Sequence, residues 1–407
     1  MHIGFLQGRR WVGITAGALM VLALVLPIDG IAANTSAPHW ISAWGAAPSF
    51  LQPSEQVAVD DQTLRQTIKL TYAGQQLRVR LSNLFGHDPL VVGAVTVAPV
   101  GQPQQRRRVT FAGAGAVTIP AGAPMLSDAV DLPVKARQDL EVSIYLPGRT
   151  LLSTIHWDRF NHTMISAAGD FSQAASFEAV ADTPLRSFLS GVDVLPSRPA
   201  KLVVAFGDSI TDTDCKIADQ LCRWSDILAA RLQAAGKPYA VANEAISGNR
   251  VLSDGYGLSA LARFDRDVLA VPGVTDVIVL EGINDIGNSG GDIYGIAQPV
   301  ITAETLIAGY QQLIARAHVH GIRIIGCTMT PFAGAGYYSP AKDQVRKAAN
   351  DWIRHSGAFD GVIDFEQVAR DPAQPDRLLP ALERGDHLHP NEAGQRAMGN
   401  AISLDLF

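Results

Sequence analysis

The sequence predicts a two-part chain, an all-β sandwich followed by an α/β domain built on a parallel sheet. Three observations predict it. At 407 residues the chain is longer than one hydrophobic core usually serves. From about Trp40 to Val194 the apolar pattern has period two. After Pro196 to Pro199, which reads as a linker, short apolar strands alternate with helical stretches. The expected organisation is a leader over 1–33, a β-sandwich over 34–195 and an α/β domain over 196–407.

In the first part, Leu77, Val79 and Leu81 alternate with Arg78 and Arg80, and Leu140, Val142, Ile144 and Leu146 alternate with polar or amphipathic neighbours. Each is a half-buried strand. Turn signals at Ala73-Gly74, Phe85-Gly86, Pro120 to Gly122 and Pro147-Gly148 punctuate them, which favours a Greek-key or jelly-roll sandwich. Arg78, Arg80 and Arg106 to Arg108 form a basic patch, read as a solvated outer face rather than an anion site.

In the second part, strands are expected at Leu202–Phe206, Tyr239–Asn243, Asp276–Leu280, Arg323–Gly326 and Val362–Asp364. Helices are expected at Trp224–Ala235, Ser259–Leu269, Ala303–His320, Lys342–Ser356 and from Asn391 onward. Repeated β–α units imply a parallel sheet with helices on both faces.

Composition narrows the function. The chain is 47% hydrophobic and 18% charged, which excludes disorder over most of its length. Its formal net charge of −6 argues against a nucleic-acid partner. Arg9 and Arg10, the apolar stretch Trp11 to Leu26 and the small residues Gly30, Ala32 and Ala33 have the order of a secretory signal peptide. The expected location is therefore secreted or periplasmic, with no stable membrane insertion once the leader is removed. Export permits disulfides. Cys215 and Cys222 are the natural pair, with Cys327 a buried thiol; three free thiols is the alternative.

Ligands of an open parallel sheet bind beyond the carboxyl ends of its strands. There the sequence places Gly207-Asp208-Ser209, Ser247-Gly248-Asn249-Arg250, Gly282-Ile283-Asn284-Asp285 and, before the last helix, Asp386-His387-Leu388-His389-Pro390. Ser209 at a strand-to-helix turn is a nucleophile in need of a base. His389 can take its proton, and Asp386 can fix the His389 tautomer. The backbone N–H groups of Ser209 and Gly248 and the side-chain amide of Asn284 can hold an oxyanion. Trp224, Tyr256, Phe332, Tyr337 and Tyr338 lie in or near these loops, with Tyr256 and Tyr337 the candidates for a pocket wall. Glu281 reads as a support for loop geometry. His387 and His389 form His-x-His, a possible metal pair, but His39, His87, His156, His162, His318, His320 and His355 lack ligand spacing near acidic partners, so neither a metal nor another cofactor is expected. Gly-x-Ser-x-Gly, a Walker A loop and a dinucleotide fingerprint are absent.

These four blocks, in this order over about residues 200–407, resemble the SGNH (GDSL) hydrolases. The resemblance implies a flavodoxin-like fold and ester hydrolysis through an acyl-serine. The chain after its leader is also similar to secreted bacterial arylesterase/acylhydrolases associated with xylan degradation, which carry an N-terminal β-domain. The stretches Asp61-Gln62-Thr63-Leu64-Arg65 and Arg80-Leu81-Ser82-Asn83 carry that likeness. The first loop departs from the pattern, with Thr213-Asp214-Cys215 where glycine is frequent. The expected substrate is a short-chain, acetyl-type ester on a carbohydrate. The rival readings are a lipase, lysophospholipase or arylesterase, and a carbohydrate-binding or adhesion protein with an inert hydrolase half.

Overall fold

Period-two patterning becomes antiparallel pairing throughout the first half. A computed structural model describes residues 39–52, 55–158, 162–213, 222–293 and 295–407. The expected leader and Cys215 lie outside these residues. Strand Asp139–Leu146 is central to a six-stranded sheet, flanked by Gln62–Lys69 and Ala94–Pro99. A four-stranded sheet runs in the order Ile41–Gly45, Leu189–Leu195, Gln76–Ser82 and Pro124–Leu126. Leu77, Val79 and Leu81 face inward and are fully buried, as the alternation predicts.

The arginines expected on a solvated outer face are instead largely ion-paired. Arg78 and Arg80 converge on Asp193, at 3.4 and 3.2 Å, and Arg80 also approaches Glu244 of the second half at 3.7 Å. Asp193 is fully buried, so the two guanidiniums supply the charge it needs. Arg106 pairs with Glu141 at 2.8 Å, and Arg107 and Arg108 alone are exposed. Pleat alternation separates two faces but does not reveal that the outer one is covered.

The second half is a five-stranded parallel sheet. In space its strands run Tyr239–Asn243, Lys201–Gly207, Val274–Leu280, Arg323–Cys327 and Gly361–Ile363. The central strands are near-continuous apolar runs, because both faces are covered. The expected helices form as α1 (Trp224–Ala234), α2 (Ala260–Phe264, passing into a π-turn over Asp265–Leu269), α4 (Ala303–Val319), α5 (Pro340–His355) and α7 (Glu392–Ala401). Two short helices follow strands directly and had no periodic signal, α3 (Ile283–Asn288) and α6 (Phe365–Ala369). Caps set the long ones: Ser339 accepts from the Lys342 amide ahead of Pro340, and Asn391 accepts from the Gly394 amide.

Residues 38–407 form one compact unit. Edge strand Ile41–Gly45 lies against Tyr239–Asn243, and the Ser42 amide donates to the Pro272 carbonyl at 3.0 Å. No helix among the described residues is long and apolar enough to cross a membrane.

Candidate active site

The first parallel strand ends at Gly207, where a Cβ would stand 2.4 Å from the Leu280 carbonyl oxygen. Only glycine fits so close to the next strand. The chain then turns over Asp208 to Asp212, with the Thr211 and Asp212 amides donating back to the Asp208 carbonyl. Ser209 projects from this turn. Its hydroxyl donates to His389 Nε2 at 2.8 Å, and His389 Nδ1 donates to Asp386 Oδ2 at 2.7 Å. Asp386 Oδ1 accepts the Leu388 and His389 amides at 3.0 and 2.8 Å, so one carboxylate shapes the turn and orients the ring. Partial burial pushes the Asp386 carboxyl upward. The bonds from the His389 amide and ring and the Leu388 amide outweigh it and hold the group below its ordinary value.

His387 takes no part in this chain. It sits at φ +59° and pairs with Glu383 at 3.1 Å, away from Ser209.

Ser209, Gly248, Asn284, Asp386 and His389 line one open cleft of about 670 Å³. Gly248 has φ +77°, and a Cβ there would collide with the Tyr256 ring, so the position requires glycine. Asn284 opens α3. Its Nδ2 donates to the Asn249 carbonyl at 3.1 Å with one N–H of the amide, and its Oδ1 faces the Tyr337 hydroxyl at 3.4 Å. Tyr256 and Tyr337 both line the cleft. Trp224 and Phe332 do not: both are fully buried, and Trp224 Nε1 props the turn from below through Thr211 Oγ1.

A buried ionic layer carries these loops. Arg263 is fully buried over the Phe206 ring, and donates to the Gly207 and Glu244 carbonyls and to Asn249 Oδ1. It thereby ties the ends of the first two strands to the Gly248 loop. Asp285 accepts the Val251 and Leu252 amides at 2.7 and 2.9 Å. Burial lifts Asp208 to about 7 and Asp285 to about 6, and burial with the Asp208 charge adding to it holds Glu281 well above its ordinary value. Nothing in the sequence patterns marks Arg263, which occupies an ordinary place on an amphipathic helix.

The sequence gives no sign that Glu55, Trp157 and Arg384 belong to the cleft. Glu55 and Trp157 come from the β-rich half, and Asp212, Ser247 and Arg384 complete a largely polar rim. A larger cavity of about 740 Å³ lies elsewhere in the β-rich half, between Phe50, Phe85 and Leu151. Its lining includes Asn83, His87, Asp88 and Ser153, but no Ser–His–Asp hydrogen-bond chain joins them among the described residues.

Residues 205–397 match the family model of the GDSL-like lipase/acylhydrolases. Among solved structures, the chain is similar to a lipolytic protein of the G-D-S-L family from Desulfitobacterium hafniense DCB-2. That protein is 21% identical over 49% of this chain and 97% of its own, with a TM-score of 0.38. A GDSL-like lipase from Bacteroides thetaiotaomicron VPI-5482 is 19% identical over 51% of this chain and 87% of its own, TM-score 0.38. An acetyl xylan esterase is 20% identical over 49% and 96%, TM-score 0.37. No curated relative matches the chain.

Proposed function

We propose, for a chain whose residues 205–397 are a GDSL-like lipase/acylhydrolase domain and which is thus a carboxylic ester hydrolase, that hydrolysis runs through an acyl-serine at Ser209. The observation that carries this reading is the hydrogen-bonded chain from Ser209 through His389 to Asp386 at the floor of an open cleft. As Ser209 Oγ bonds to the ester carbonyl carbon, its proton passes to His389 Nε2. Asp386 holds the Nδ1–H tautomer and stabilises the resulting imidazolium. The oxyanion takes N–H donors from Ser209, Gly248 and Asn284, the last through the amide hydrogen not given to Asn249. The C–O bond then breaks and His389 returns its proton to the alcohol. A water repeats the sequence on the acyl-serine and releases the acid.

The substrate we infer is a short-chain, acetyl-type ester of a carbohydrate. Supporting this are the mixed lining of the cleft, with Trp157, Tyr256 and Tyr337 as flat apolar surfaces, and Glu55, Asp212 and Arg384 as polar groups beside them. A long acyl chain would find few aliphatic side chains there. We further propose that residues 1–33 direct export to a secreted or periplasmic location, and that 34–195 and 196–407 are the accessory and catalytic domains. A Cys215–Cys222 disulfide would hold the first loop; Cys222 is buried and Cys327 is a buried free thiol.

Hydrolysis of p-nitrophenyl acetate and p-nitrophenyl palmitate, with acetate release from acetylated xylan, tests the substrate. Fast acetate and slow palmitate turnover with acetate release fits the proposal. A preference for palmitate would replace it with the lipase reading. The intact mass of unreduced protein, two hydrogens short, would support the bridge. Alkylation of both Cys215 and Cys222 without reduction would remove it.

A further inference from the structure

We propose that His156, a residue of the β-rich half, is a positioning residue for the oxyanion loop, held as a cation that fixes Asp212 and through it Ser247-Gly248. This rests on the reading of Ser209 as nucleophile and Gly248 as oxyanion donor.

His156 lies on the short strand Ile155–Trp157, which is pinned on both sides. It pairs with Leu185–Ser187, and Ile155 exchanges backbone bonds with Ser49, at 2.9 and 2.6 Å. The Ser49 hydroxyl in turn donates to the Tyr256 carbonyl on the cleft rim. Alternation on this strand sends consecutive side chains to different tasks. Trp157 lines the cleft, and His156, 6% exposed, points into the contact between the halves.

Both ring nitrogens of His156 face acceptors. Nδ1 is 3.0 Å from the Ala47 carbonyl oxygen, and Nε2 is 3.3 Å from Asp212 Oδ1. A neutral imidazole carries one N–H and would leave one of these buried acceptors facing a lone pair. The geometry therefore assigns two N–H donors and a positive charge. Burial alone would lower the His156 pKa, and the Asp212 charge, its hydrogen bond and the Ala47 carbonyl outweigh that and raise it.

Asp212 passes the constraint on. Its Oδ2 accepts from the Ser247 amide at 3.3 Å and the Ser247 hydroxyl at 3.2 Å. Arg223 reaches its Oδ1 at 3.5 Å. Asp212 is almost fully buried and its own amide closes the Ser209 turn on the Asp208 carbonyl at 2.8 Å. The carboxylate thus stands between the nucleophile turn and the loop whose next residue, Gly248, presents its N–H to the reacting oxygen. Removing an oxyanion donor outright lowers kcat by about 10²–10³. Loosening its loop should lower kcat by about 10- to 100-fold, because small displacements at the reacting centre are expensive in rate.

Two amide replacements separate this role from general support. In His156→Gln the side-chain N–H can reach the Asp212 position, whereas in His156→Asn it can reach only the Ala47 position. With p-nitrophenyl acetate, which needs no distal contacts, His156→Asn and His156→Ala should lose about 10- to 100-fold in kcat with KM changed less than about three-fold. His156→Gln should stay within about five-fold of the parent. Equal kcat for the Gln and Asn variants, or a rise in KM at unchanged kcat, would overturn the proposal. If His156→Ala fails to fold, the Gln–Asn comparison still decides. Ser209→Ala in the same assay tests the underlying reading: an active Ser209→Ala defeats that reading, whereas an inactive one beside a flat His156 series defeats only this inference.

Discussion

The two halves of this chain bury their residues by different rules. In the parallel sheet, strand Val274–Leu280 is covered on both faces, and its one charged residue, Asp276, lies near its start. Chemistry there falls at predictable points after each strand, and Ser209, Gly248 and Asn284 meet because the topology forces them to. In the antiparallel half one face is always a candidate for solvent, yet here part of it is covered by the other half. Arg80, Asp193 and Glu244 meet in that contact, and His156 and Trp157 reach past it toward the cleft. A region that looks like a passenger by its pattern thus supplies part of the wall and a grip on the loop beneath.

Substitutions in each half test this difference. The largest effect belongs to the parallel half. Ser209→Ala should lower kcat by about 10³-fold or more with the melting temperature unchanged, measured with p-nitrophenyl acetate. Retention of a tenth of the activity would remove Ser209 from its role. Asp386→Asn should cost about 10²–10⁴ in kcat by favouring the wrong tautomer. His387→Ala, by contrast, should act mildly through its Glu383 contact; a deeper kcat loss there than in His389→Ala would reassign the base.

The β-rich half should respond in binding. Trp157→Ala should raise KM for a carbohydrate ester about ten-fold, as expected for loss of one aromatic surface, while kcat on p-nitrophenyl acetate changes little. Unchanged KM on both substrates would return this half to a purely structural role.

The smallest effect is on stability and concerns the buried carboxylates. Asp208 rises from an ordinary 3.8 to about 7, chiefly through burial. A group raised in the folded state binds its proton more tightly there, so stability is lost as pH climbs from about 4 toward 7. Asp208→Asn keeps the Oδ1 acceptor for the Ile210 amide and removes the titration. Its melting temperature relative to the parent should therefore be higher at pH 8 than at pH 5. A difference independent of pH would show that Asp208 is not the group responsible.

Much of the fold was legible because two periodicities differ so plainly. The five parallel strands and the five helical stretches of about ten residues or more, α2 counted with its π-turn, follow from apolar runs and capping residues, within one or two residues at most ends. Helices α3 and α6 were not legible, since five or six residues give no period to detect. The cleft was legible where the chemistry is local to a loop, as at Asp386-x-x-His389. Trp157, Glu55 and Arg384 were not, because what lies across a gap is decided by tertiary contact. Arg78 and Arg80 were misread for the same reason: alternation shows which side chains share a face and says nothing of what covers it.

A covalent acyl-serine at Ser209 is tested by mass spectrometry of protein treated with an alkyl fluorophosphonate, which traps an activated serine. One stoichiometric adduct is expected on the peptide containing Ser209, with loss of esterase activity in step with labelling and no adduct in Ser209→Ala. An adduct on a different residue that tracks the loss of activity, or full activity in protein fully labelled at Ser209, would contradict it.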